Sequence, residues 1–202
     1  MSMSSIYPAA KRAFDVAASA SGLLALSPVL AACAVAVKLS SPGPALFRQS
    51  RVGRGGRPFE LLKFRSMTHG AKGAAVTSTG DARITPAGRV LRKYKLDELP
   101  QLLNVVRGDM SLVGPRPEVS RYVEHFPEAY AKILTVRPGI TDLAAIAYRN
   151  EEELLARAAD PEQTYVTEVL PAKIELYFRY LETRSFTTDL AILLRTLRAV
   201  AR

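Results

Sequence analysis

The sequence contains no tryptophan, one cysteine and two histidines. A lone thiol, Cys33, excludes an internal disulfide and a cysteine-based zinc site. His69 and His125 stand too far apart in sequence to suggest a histidine-rich metal site. These counts suit a reducing compartment, or a membrane face exposed to one. The missing tryptophan, and the few aromatics available to stack bases, argue against nucleic acid as a partner despite a pI near 9.9. Hydrophobic material is not scarce. At 48% of 202 residues it can build the core of one compact domain, or of a domain with an appendage. The chain shows no internal repeat.

Acidic residues are scarce in one place only. Between Arg48 and Arg116 there are 14 Lys and Arg against 5 Asp and Glu, whereas the rest of the chain carries 14 of each sign. The whole excess of +9 therefore lies in that segment. Such a block attracts phosphate-rich partners: nucleotides, nucleic acid or anionic lipid head groups.

Charge is missing altogether from Val16 to Val37, a run of 22 residues. As a helix it would be about 33 Å long, enough to cross a bilayer. Lys11 and Arg12 flank it on one side and Lys38 on the other, so the positive-inside rule selects no orientation. Ser27-Pro28 falls at its middle, where proline removes a backbone donor and clashes with the preceding turn. Three readings stay open: a re-entrant hairpin returning to the same face, a kinked spanning helix, or an alanine-rich helix buried in a soluble core.

Ser40–Pro44 is a breaker. The spacing then predicts a β-hairpin, with strands at Ala45–Val52 and Pro58–Met67 around a glycine-rich turn at Gly53–Arg57. His69–Gly80 reads as a mobile loop. Thr85 is placed to cap a helix whose first position is Pro86. Leu99, Leu102, Leu103 and Val106 predict an apolar helix face, closed near Gly108, with Asp97 at or beside the N-cap. A short strand at Met110–Val113 leads into "GPRP", and Arg137–Thr141 forms a second rigid loop. Helices are expected at Val119–Leu134, Glu151–Ala159, Glu162–Leu181 and Thr187–Ala201. The last carries Leu190, Leu193, Leu194 and Leu197 on one face, for packing on the core or for lying on a membrane.

Asp97 and Glu98 are adjacent acids inside the basic block. The ordinary reading is a helix cap, since acids are enriched in first turns. The helix dipole and Arg92, Lys93 and Lys95 would then favour an ionised Asp97. An ionised carboxylate can also bind magnesium, or attack phosphorus to give an acyl phosphate. Arg116 and Arg137 each project from a proline-stiffened loop, and Lys63 and Arg65 fall on one side of a hairpin strand. Together with the apolar segment, they point to chemistry on a diphosphate at a lipid interface.

At this point the chain resembles the bacterial sugar transferases, the monotopic phosphoglycosyl transferases, over nearly its whole length. The resemblance rests on "KRAFD", Ser27-Pro28, "LLKFRSM", the long string "GDARITPAGRVLRKYKLDELPQLLNVVRGDMSLVGPRP" and "RPGIT…RN". It implies an α+β, mainly helical fold with an N-terminal re-entrant membrane helix hairpin, a small β-hairpin and amphipathic interfacial helices. Residues 1–39 would anchor the chain and 40–202 would form one catalytic unit on the cytoplasmic face of the bacterial inner membrane. The implied reaction moves a sugar 1-phosphate from a UDP-sugar to undecaprenyl phosphate and releases UMP. The resemblance makes Asp97 the nucleophile and Asp97 and Glu98 the site of Mg2+. Lys63, Arg92, Arg116 and Pro117 would meet substrate, as would Arg65 and Arg137 on the charge reading above. Ser27 and Pro28 would form the membrane kink. A lipid surface is an implied partner, nucleic acid is not, and a homodimer is left open. The segment "DLAAIAYRN", with Asp142, Ala144 and Ala145, departs from the family's common glycine- and glutamine-containing pattern, so sugar identity is not carried over. A membrane-anchored basic adaptor without catalysis is the competing class.

Overall fold

The computed structural model describes residues 3–71, 77 and 79–200. Half of the predicted loop His69–Gly80 (residues 72–76 and 78) lies outside the described residues, as does the very end of the last predicted helix.

The apolar run folds as two helices, α1 (Met3–Ala25) and α2 (Ser27–Ser40), bent by 64° at Leu26. Pro28 sits in the first turn of α2, where its missing N–H leaves no gap in the helical ladder. No single described helix is long and apolar enough to cross a membrane, although the bent pair together passes on length and composition. One face of the pair is held by the rest of the chain: Asp15, Ser19, Cys33 and Val37 are buried. The opposite face leaves Leu24, Val29, Val35 and Leu39 exposed.

The hairpin forms as expected. Strands β1 (Leu46–Val52) and β2 (Pro58–Phe64) pair antiparallel from Leu46↔Phe64 to Val52↔Pro58. Their turn uses Gly55 and Gly56 at φ +70° and +76°, conformations open to glycine. Thr85 caps α3 (Pro86–Lys93) by accepting from the Gly88 N–H. Gly88 is required there, because a Cβ would lie 1.9 Å from the Ser66 carbonyl oxygen. A 3-10 turn over Leu96–Glu98 leads to α4 (Gln101–Arg107), which ends at Gly108 with φ +98°.

Strand β3 (Ser111–Val113) pairs in parallel with β4 (Gly139–Thr141), so part of the predicted Arg137–Thr141 loop is a strand. The expected helix Val119–Leu134 is two helices, α5 (Ser120–His125) and α6 (Pro127–Ile133), because Pro127 starts a new first turn after Phe126 leaves helical geometry. Short helices α7 (Leu143–Ala147), α8 (Glu151–Ala156) and α9 (Pro161–Thr164) follow. A π turn over Tyr165–Val169 precedes α10 (Leu170–Thr183), accommodating Pro171, which has no N–H to continue an α ladder. The last helix, α11 (Phe186–Val200), buries Asp189 and Ile192 and leaves Leu190, Leu194 and Leu197 exposed. Of the predicted leucine face, Leu193 alone packs against the core, beside Ile192.

Four apolar clusters hold these elements. The largest joins α5, α6, α8 and α10 through Tyr122, Tyr130, Leu155, Tyr165 and Tyr177. Others lie between α2, β2 and α3, between β2, α4 and the start of β3, and around Val113, Tyr180 and Ile192. The acid pair falls where β2, α3, α4 and the β3 loop meet.

Candidate active site

The local chain path sets Asp97. Helix α3 stops at Tyr94, and Lys95 turns the backbone with φ +54° and ψ +20°. Among the described residues it is the one non-glycine with positive φ. A left-handed lysine is strained by roughly 1 kcal/mol or more, and such strain is held only where the surroundings over-determine it. The following 3-10 turn buries Asp97 to 6% exposure. The expected cap is not there. Pro100 occupies the N-cap position of α4 without a side-chain bond, and the buried Oδ1 of Asp97 has no hydrogen-bond partner.

This also reverses the expected pKa direction. Burial raises the Asp97 pKa, Lys63 opposes the rise, Glu98 adds to it, and Arg92 and Lys95 counteract it less strongly. Glu98 behaves oppositely. Burial alone would raise its pKa, but Arg116 and Lys63 overcome that and hold it well below the usual glutamate range. Lys63 Nζ donates to Glu98 Oε1 at 3.0 Å. Arg116 donates through Nη2 to Oε1 at 2.6 Å and through Nη1 to Oε2 at 3.4 Å. Two adjacent carboxyls thus differ sharply: one has a buried oxygen without a partner, the other is clamped between two cations.

Arg92, in the last turn of α3, donates to Ser66 Oγ and Glu152, while its buried Nε has no partner. An orphan donor and an orphan carboxylate oxygen therefore share this region, and each is a place for a ligand to bind. Gln101, which sequence reasoning passed over, is 1% exposed and leaves its Nε2 without a partner. Its signal was present: it lies one helical turn beyond Asp97 and Glu98.

Two predicted contact residues make bonds to the backbone rather than to the acid pair. Strand β2 ends at Phe64, so Arg65 does not continue the strand face that carries Lys63. Its guanidinium donates to the carbonyls of Pro44, Pro42, Ser41 and Val37 and to Ser41 Oγ at 2.7–3.3 Å. That uses the five donors an arginine has and ties down the end of α2. Arg137 donates from Nε to Gly108 O at 2.9 Å, at the far end of α4 from the acid pair. Pro117 is buried, and its carbonyl accepts from Arg51, which also pairs with Glu118. Ser27 and Pro28 lie at the bend of α1 and α2.

The two proline-stiffened loops lie back to back. Gly114 N–H donates to Thr141 O at 3.0 Å and Gly139 N–H to Pro115 O at 2.9 Å. A Cβ on Gly139 would fall 2.2 Å from Gly114 N. One loop thus braces the other, and of the two arginines Arg116 is the one bonded to the acid pair.

A buried carboxylate facing lysine and arginine side chains is a set of groups suited to attack on phosphorus. The chain belongs to the bacterial sugar transferase family, whose model matches residues 6–202. It is 40% identical over 202 residues to the UDP-N-acetylgalactosamine-undecaprenyl-phosphate N-acetylgalactosaminephosphotransferase of Aeromonas hydrophila, covering 98% of this chain and 45% of that protein. It is 44% identical over 193 residues to the UDP-glucose:undecaprenyl-phosphate glucose-1-phosphate transferase of Caulobacter vibrioides, covering 92% and 67%. The Rhizobium meliloti exopolysaccharide production protein ExoY is 36% identical over 210 residues, covering 95% and 85%. The chain thus spans about half the length of the first of these relatives.

Proposed function

We propose that this chain transfers a sugar 1-phosphate from a UDP-sugar to undecaprenyl phosphate, releasing UMP, through a covalent intermediate on Asp97. The observation that carries the reading is the buried, unpartnered Asp97 Oδ1 beside a Glu98 held by Lys63 and Arg116. An Asp97 oxygen attacks the phosphorus that bears the sugar, the bond to the bridging oxygen breaks, and UMP leaves with that oxygen. A phosphate oxygen of the polyprenyl acceptor then attacks the same phosphorus and frees the carboxylate. Burial that raises the Asp97 pKa also strips water from the nucleophile, and Lys63 and Arg92 keep an ionised fraction available. Arg116 and Lys63 fix Glu98 and place positive charge where phosphoryl oxygens would lie.

Among the described residues no group of three or more His, Cys, Asp or Glu forms a metal cage. Magnesium is commonly held by one or two carboxylates plus substrate phosphates, and Asp97 and Glu98 fit that donor set. When bound there it would neutralise charge on the diphosphate. The exposed apolar faces of the bent helix pair and of α11 support a monotopic, re-entrant attachment with α11 at the interface, facing the cytoplasm. The relatives' names cite different sugars, so the donor is set by experiment.

The test is UMP release across a panel of UDP-sugars with undecaprenyl phosphate and magnesium. Asp97→Asn is expected to lower turnover by roughly 10³-fold or more and to remove any sugar-phosphate adduct on the protein. Turnover retained in that variant removes the nucleophile assignment. Salt-sensitive lipid binding without UMP release would favour the adaptor instead.

A further inference from the structure

Asp142 stands outside the acid pair, yet it is as completely enclosed as any carboxylate in the chain. It is 1% exposed, and Oδ1 accepts from Ala145 N–H at 2.8 Å to cap α7. Oδ2 is buried without a partner. Capping does not require the charge, since asparagine caps equally well. A carboxylate kept in such a place, with one oxygen unspent, calls for another use.

Its surroundings indicate which. Asp142 directly follows Thr141, whose carbonyl accepts from Gly114 N–H two residues before Arg116. The braced loops therefore bring the backbone at Asp142 beside the loop that carries Arg116, whose guanidinium is bonded to Glu98. Asp142 and Arg116 lie within electrostatic reach of each other, and Glu98, Glu118 and Asp142 all favour the charged guanidinium. We infer that Asp142 is a positioning residue for Arg116, a counter-charge that keeps the guanidinium oriented when Glu98 shares it with a substrate phosphate. This rests on the phosphoglycosyl transfer proposed above. Arg116 has five donors, of which the bonds to Glu98 use two, so it can hold Glu98 and a phosphate together if its direction is fixed.

Other groups facing Asp142 are accounted for. Lys173 and Tyr177 come from α10, Glu118 and Tyr130 lie near Tyr177, and α7 contributes the N–H groups of Ala144 and Ala145. Helix α11 brings Thr196 to Thr141 at 2.7 Å. Burial raises the Asp142 pKa to about 6, against opposition from the Ala145 N–H, Arg116 and Lys173. The counter-charge is therefore present above that pH and absent below it.

The experiment compares wild type, Asp142→Asn and Asp142→Glu in UMP release between pH 5 and 8.5, using the best donor of the panel. Wild-type kcat is expected to rise with pH as Asp97 and Asp142 both lose their protons, with the Asp142 share centred near pH 6. Asp142→Asn should lose the Asp142 share of that rise, with kcat about tenfold lower above pH 7, the change that corresponds to one pKa unit of electrostatic stabilisation. KM for the donor should not rise, because removing a negative charge does not weaken anion capture. Asp142→Glu should restore part of that share, and in an Arg116→Lys background Asp142→Asn should have little further effect. An unchanged rise with pH in Asp142→Asn, or a full effect in the Arg116→Lys background, overturns the inference while leaving the transferase reading intact. Wild-type protein that releases no UMP from any donor overturns both.

Discussion

At the scale of single residues, Asp97 and Glu98 show how two neighbours of nearly the same chemistry are given different tasks by their surroundings. Asp97 has a folded-state pKa above its unfolded value, so its ionised form opposes folding at neutral pH, and the penalty fades as pH falls below the folded pKa. Glu98 has a depressed folded pKa, so its pairing stabilises the fold above the unfolded value and is lost only as pH falls through the depressed one. Asp97→Asn should therefore stabilise the protein by about 1 kcal/mol near pH 7.5, and the gain should shrink on acidification. Glu98→Gln should destabilise it by about 2–3 kcal/mol, below the usual range for a broken buried pair because Arg116 keeps 30% side-chain exposure. Urea unfolding of both variants at pH 7.5 and 5 reads this directly. A dead but stabler Asp97 variant is the signature of a residue retained for chemistry. An Asp97→Asn protein less stable than wild type at pH 7.5 would instead give the carboxylate a structural role.

At the scale of elements, helix α4 shows what the sequence can and cannot disclose. Its C-terminal glycine, the Thr85-Pro86 start of α3 and the hairpin were legible, because capping, proline and turn chemistry act within a few residues. The buried face of α4 was not. The pattern pointed to Leu99, Leu102, Leu103 and Val106, whereas the enclosed side chains are Gln101, Asn104 and Val105. A polar residue is buried only when a distant partner satisfies it, and no local pattern announces that partner. Asn104 Oδ1 accepts from Leu62 N–H at 3.0 Å and Nδ2 donates to Glu60 O at 2.7 Å, so it extends the β2 edge into α4. The same limit hid the roles of Arg65 and Arg137, which complete backbone groups from remote segments rather than reaching the acids. Asn104→Ala would orphan both β2 groups, and a loss of about 2–4 kcal/mol is expected in urea unfolding, with faster hydrogen exchange at Leu62. A loss below 0.5 kcal/mol would mean that water replaces the amide there.

At the scale of the whole molecule, both ends of the bent helix pair are fastened to the same body. Near the start of α1, Tyr7 and Lys11 donate to Asp189 of α11, which also accepts from Tyr180, and Arg12 donates to the last carbonyls of α4. Phe14 stacks edge-on against Phe186 with ring centroids 5.3 Å apart. Further along, Asp15 accepts from Ser111 Oγ at 2.7 Å, tying α1 to β3. At the end of α2, Arg65 clamps the carbonyls of Val37 and Ser41. A helix crossing a bilayer separates its ends by about 30 Å of hydrocarbon. Here that would divide one hydrogen-bonded body across the membrane, leaving buried groups such as Asp189 without the partners that offset their desolvation. On the re-entrant attachment proposed above, the bend at Pro28 and the exposed Leu24, Val29 and Val35 would form an apolar elbow entering one leaflet from the catalytic side. Cysteines placed singly at Ala9 and Arg48 in a Cys33→Ala background should therefore both react with a membrane-impermeant maleimide from the cytoplasmic side alone, and one at Leu24 should be shielded from either side. Labelling of Ala9 and Arg48 from opposite sides would establish a span, and would require the contacts of Lys11 and Arg12 with the catalytic body to break in the membrane.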